Sequence, residues 1–153
     1  MRPRRKAREA ALQVLYGLDI NRVNPEEGIS LFWEMGSYTE DEEEGIKYSR
    51  QIKPFATLLI LGAWQCRGEI DQLISQYSEH WSLGRISHVD RSILRMAIYE
   101  MLYCEDIPPK VSMNEAIELG KIYGSENSGA FINGILDALY NQFKSEGRGK
   151  KFT

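Results

Sequence analysis

The sequence predicts an all-α protein, a compact bundle of about seven helices in two small helical subdomains. Three observations carry this. No segment alternates apolar and polar residues long enough to form a sheet strand. Apolar residues recur instead at i, i+3, i+4 and i+7, the period of a helix with one buried stripe. Short breaks rich in Gly, Pro, Asn and Ser divide these stretches, so the helices fold back on one another. A chain of 153 residues with 42% hydrophobic content suits one domain, or two subdomains sharing a core. No solenoid period repeats. Residues 1–143 read as a single helical domain with a basic N-terminal arm, and 144–153 as a flexible basic C-terminal tail.

The first helix grows out of that arm. Arg2, Arg4, Arg5, Lys6 and Arg8 all precede the first acid, Glu9. The stripe Ala11, Val14, Leu15 and Leu18 begins in the same stretch. On a helical wheel Leu12 and Tyr16 share a side with Arg5 and Arg8, away from the centre of the stripe. Residues 21–25 form a turn in which Asn24 caps the second helix and Pro25 takes its first position. Ile29, Phe32 and Trp33 make that helix amphipathic, and it ends near Gly36. Residues 37–48 break the pattern. Their acids Glu40, Asp41, Glu42, Glu43 and Glu44 lack the glycine and alternating ligands of a calcium loop, so the segment reads as a solvated linker.

Pro54 opens the third helix, whose stripe holds Phe55, Ala56, Leu59 and Ala63. A bend at Arg67 and Gly68 leads to a fourth stripe of Ile70, Leu73, Ile74 and Tyr77, with Trp81 at its end. Ser87, with Asp90 three residues on, caps the fifth helix. Val89, Ile93, Met96, Ala97 and Met101 form one face of it and Leu94, Ile98 and Leu102 widen that face, so this helix is central. Pro108 and Pro109 stop it. Ser112-Met113-Asn114-Glu115 reads as a capping box for the sixth helix, with Ala116, Leu119, Ile122 and Tyr123 inside. After Gly124, Ser125 to Ser128 cap the last helix, which carries the stripe Ile132, Ile135, Leu136, Leu139 and Phe143.

Charge divides the molecule. The net charge is −3, and without the five cations of the arm 14 basic residues face 22 acidic ones, a balance of −8. An acidic body repels phosphate over most of its surface and suits a basic protein partner. A basic arm held by an amphipathic helix, with Tyr16 beside its arginines, is a candidate surface for phosphates and stacked bases; a loose tail that binds nothing specific is the other possibility. Phe131 lies about 100° from the centre of its helix's stripe, behind Asn127, Ser128 and Gly129, whose polar groups suit base edges or phosphate at a helix N-terminus. A capping segment followed by a core phenylalanine explains the same residues.

Other chemistries find little support. Cys66 and Cys104 cannot make a metal site by themselves, and His80 and His88 lack a third ligand. Glu115 and Glu118 sit one turn apart, but the capping box already accounts for one of them. The phosphate-cradling glycine loop is missing, as is a signal-peptide core, and the longest apolar run, residues 57–64, is too short to span a bilayer. The expectation is a cytoplasmic protein that is no enzyme and needs no cofactor or metal.

Four stretches resemble the family of bacterial transcription antitermination factors called NusB: RRKAREAALQVLY from Arg4, VDRSILRMAIYEM from Val89, IPPKVSMNEAIELGKIYG from Ile107 and NSGAFINGILD from Asn127. They stand in the family's order and span nearly the whole chain. The resemblance implies an all-helical RNA-binding protein. Its partner would be NusE, a basic ribosomal protein, and the pair would bind the boxA element of nascent ribosomal RNA and serve the antitermination complex on RNA polymerase. By position it implies an RNA side of Arg4, Arg5, Lys6, Arg8, Asn127 and Phe131, and a NusE side of Tyr16 and Asp90. Tyr16 thereby moves from base stacking to the protein partner. Ala130 stands where many relatives carry lysine, and Asn127 where aspartate is common. A helical domain of this kind also begins some ribosomal RNA methyltransferases; ending at Thr153 without an α/β domain, the chain points to the factor. Two alternatives stand beside this reading: a protein-interaction module with only nonspecific RNA binding, and a homodimer that covers the RNA face.

Overall fold

The computed structural model describes residues 3–35, 42–78, 83–148 and 150–152. Among them seven α-helices follow one another: α1 (Pro3–Asn21), α2 (Pro25–Met35), α3 (Glu42–Gln65), α4 (Arg67–Tyr77), α5 (His88–Tyr103), α6 (Pro109–Tyr123) and α7 (Ser128–Glu146). One-turn 3-10 segments stand at Leu83–Arg85 and Lys150–Phe152. The all-α architecture read from the sequence is the one observed. The main core draws buried side chains from α1 and from α3 to α7, and a smaller cluster of Ala7, Ala10, Ile52 and Ala56 joins α1 to α3.

Several boundaries follow the expected chemistry. Asn24 caps α2, its side-chain oxygen accepting from the Glu27 amide at 2.8 Å, with Pro25 first in the helix. Ser87 caps α5 by accepting from the Asp90 amide at 3.1 Å. Helix α5 buries residues on almost every side, from Ile93 to Met101, as befits the central helix. Gly62 on α3 makes room for it, because a β-carbon there would run into the Tyr99 ring.

Other expectations require correction. Pro54 lies inside α3, which starts at Glu42. Its ring faces solvent, where the carbonyl deprived of an N–H donor can be hydrated. Of the supposed linker acids, Glu42, Glu43 and Glu44 are the first residues of α3; Glu40 and Asp41 lie outside the described residues, as do Arg2, His80 and Trp81. Helix α6 begins at Pro109, so Ser112 is not a cap. Its hydroxyl donates instead to buried Glu100 on α5 at 3.0 Å. Ile122 and Tyr123 are exposed, and Met113, Ala116, Leu119 and Gly120 form the inner face of α6. In the supposed tail, α7 continues to Glu146 and ends on Gly147, whose φ of 65° favours glycine. Phe152 is buried against Tyr140 and Phe143, and the Lys151 ammonium donates to the Glu100 and Cys104 carbonyls at the end of α5.

The wheel for α1 also needs revising. Arg8 and Leu12 are buried, because α1 packs against α5 as well as α3. Ion pairs bind α1 to α5 along its length. Arg8 gives both Nε and Nη2 to Glu100 at 2.9 and 2.8 Å. Eleven residues on, Asp19 accepts from Arg91 at 2.7 Å and Arg95 at 3.0 Å, with His88 at 2.5 Å. Arg95 also grips Asp71 of α4 at 2.7 Å. The arm is thus the outer end of a helix anchored along its length.

Candidate nucleic-acid interface

The exposed cations of α1 are not loose. Arg4 donates to Asp106 at 2.9 Å with its guanidinium 4.7 Å from the centre of the Phe55 ring. Arg5 donates through Nε to Glu115 at 3.0 Å, and Lys6 lies 3.5 Å from Glu9. The carboxylates act back on the arm. Glu115 raises the Arg5 pKa by its hydrogen bond and charge, and the hydrogen bond from Arg4 holds the Asp106 carboxyl below its usual range. Arg8 belongs to the interior: its side chain is 3% exposed and it meets Glu100 and, at 3.8 Å, Glu115. Of the four cations assigned to RNA by position, Arg4, Arg5 and Lys6 reach the surface and Arg8 positions the helix that carries them.

Beside the arm lie two clefts. The larger, about 710 Å³, is lined by residues of the turn before α5, the start of α5 and the α6–α7 junction, among them Arg85, Asp90, Tyr123, Asn127, Ala130 and Phe131. Its volume lies within the range of pockets that hold a small organic ligand, about 300–1,000 Å³. Asn127 is exposed, and its side chain makes no capping bond to α7. Phe131 packs on the core with one side and opens into the cleft with the other, so the surface and core expectations for it both hold. The smaller cleft, about 210 Å³, is lined by Glu9, Leu12, Gln13, Tyr16, Val89 and Tyr123. Tyr16 is 39% exposed and meets His88 edge-on at 6.3 Å.

Val89 and Tyr123 line both clefts, and the Tyr123 hydroxyl donates to Glu9 of α1. The structure therefore sets Asp90, Asn127 and Phe131 in one cleft and Tyr16 in the adjoining one, and Glu9, which lines the second, pairs with Lys6 and lies near Arg5. Asp90 holds a special place in its cleft. The residue is 8% exposed, and its Oδ1 has no hydrogen-bond partner among the described residues. A buried carboxylate oxygen without a donor is costly, and a cation from outside would satisfy it.

Sequence reasoning missed two cleft residues. The helical period points Tyr123 inward, but at the end of α6 it lies beyond the packed stretch and is 40% exposed. Arg85 carried no periodic signal, being a lone arginine between elements. Among the described residues no group of three or more His, Cys, Asp or Glu could hold a metal ion, and no helix is long and apolar enough to cross a membrane.

Comparison with known proteins identifies the family. The model of the NusB family matches residues 5–141. The transcription antitermination protein NusB of Syntrophus aciditrophicus (strain SB) is 56% identical over 140 residues, covering 92% of this chain and 81% of that protein. Solved structures superpose along nearly the whole chain. NusB of T. maritima is 41% identical with a TM-score of 0.73 and 90% of each chain covered. A chain from a crystal structure of antitermination factors NusB and NusE in complex with dsRNA is 29% identical with a TM-score of 0.74, covering 93% of this chain and 98% of that one.

Proposed function

The chain belongs to the NusB family, and we propose that it acts as an RNA-binding transcription antitermination factor that works with NusE on a boxA-type RNA. The observation that carries this reading is the adjacency of three features: a basic arm, a cleft with an aromatic ring and a free amide, and a second cleft with an exposed tyrosine. Arg4, Arg5 and Lys6 would take phosphates, Phe131 would stack a base, and Asn127 would meet its edge. Tyr16 and the buried Asp90 oxygen would take a basic protein, which the acidic body also favours. NusE is the partner that fits, and the two together would serve the antitermination complex on RNA polymerase. The protein acts by binding, without catalysis, in the cytoplasm where transcription takes place.

The test is the affinity for a boxA-type RNA and a scrambled RNA at physiological salt, with and without NusE. Tighter binding of boxA that strengthens with NusE is the expected result. Equal, weak binding of both RNAs, indifferent to NusE, would leave a helical interaction module with a sticky arm.

A further inference from the structure

We infer that Arg85 is a phosphate contact of the bound RNA, placed in the large cleft that the base-stacking ring of Phe131 also lines. Arg85 ends the one-turn 3-10 segment that leads into α5 and lines the same cleft as Asn127, Ala130 and Phe131. It is the one cation among the described residues lining that cleft. Its side chain is exposed, and it makes no ion pair or hydrogen bond among the described residues. That sets it apart from the arm, where Arg4, Arg5 and Lys6 each meet a carboxylate that phosphate must displace. A guanidinium already free loses no partner on taking up a phosphate.

The rest of the cleft suits a nucleotide. Phe131 offers a ring face and Asn127 an unused amide. A nucleotide stacked there brings its phosphate into a cleft whose single free charge is Arg85. The acid lining the cleft, Asp90, is only 8% exposed, so it presents little carboxylate surface to a phosphate there. A carboxylate of a protein partner could use the same guanidinium, but an acidic body selects a basic partner, which leaves Arg85 for RNA.

This assignment rests on the RNA-binding reading above, and one experiment separates the two. The affinity of the full chain for boxA RNA is measured from low to physiological salt for the wild type, Arg85→Gln and Arg85→Lys. For Arg85→Gln the expected result is a loss of roughly three- to tenfold in affinity, a salt slope shallower by about 0.7, and unchanged NusE binding. Arg85→Lys keeps the slope, because it keeps the charge. An unchanged slope and affinity in Arg85→Gln, with the wild type binding normally, would overturn the assignment alone. Loss of NusE binding with RNA binding intact would overturn it too, marking Arg85 as a protein contact. A wild type that binds no RNA would bring down the functional reading together with the assignment.

Discussion

Arg4 and Arg8 stand four residues, about one turn, apart on the same helix. Both guanidinium groups lie over the Phe55 ring, at 4.7 and 5.4 Å, and both are bound to a carboxylate at or just beyond the end of α5. Exposure to solvent distinguishes them. The Arg4–Asp106 pair is 52% and 68% exposed, while Arg8–Glu100 is 3% and 1% exposed. A hydrated pair is screened and holds its partners weakly. A dry one fixes both partners, because either charge left alone would be stranded. The same residue type in one basic run thus serves exchangeable binding at one turn and architecture at the next. The net charge of an arm does not reveal how much of it is available.

The sharpest way to break this contrast is to truncate each arginine in turn. Arg8→Ala strands Glu100 with only the Ser112 hydroxyl and is expected to destabilise the fold by about 3–5 kcal/mol. Arg4→Ala leaves the urea midpoint almost unmoved. Equal midpoints for the two variants would show that burial does not separate them.

The other ion-paired end of α1 supplies the next test, through pH. Burial pushes the Asp19 carboxyl up, but hydrogen bonds from His88 and Arg91 and the charges of Arg95 and Arg91 outweigh it, so its pKa falls below the ordinary value. A carboxyl depressed by folding contributes stability that is present above its unfolded pKa, near 4, and lost as pH falls through the folded value. The melting temperature is therefore expected to drop below about pH 4. Asp19→Asn should be less stable at neutral pH and show a flatter acid limb. An identical acid limb in that variant would assign the loss to other carboxylates.

How much of this was legible beforehand depended on range. Stripes, prolines and caps are local, so Asn24, Pro25, Ser87 and the stripe of α7 could be read directly. Tyr16, Asn127 and Phe131 stand out by helical position and Asp90 by motif position, and the fold sets Asp90, Asn127 and Phe131 on one cleft with Tyr16 on the adjoining one. Arg8 and Leu12 could not be read, because their burial depends on α5, about 90 residues downstream. Ser112 satisfied a local pattern that a distant carboxylate, Glu100, overrode. Arg85 escaped because a cleft formed by three separate segments leaves no period in any of them.

The smallest effects probe the exposed half of the contrast and carry opposite signs. Asp106→Asn removes a carboxylate that holds Arg4, leaving the fold intact and tightening RNA binding by about two- to threefold. The gain should vanish when Arg4 is also replaced by alanine, since it acts through that guanidinium. Asn127→Asp does the reverse. It adds a carboxylate to the cleft where no described arm cation is paired with it, and it replaces an amide donor by an acceptor. Repulsion from phosphate and the lost donor both weaken boxA binding, by about twofold, and more at low salt, where screening is least. Equal affinity of Asn127→Asp and wild type at low salt would place residue 127 outside the RNA path, leaving that path to the arm, Arg85 and Phe131.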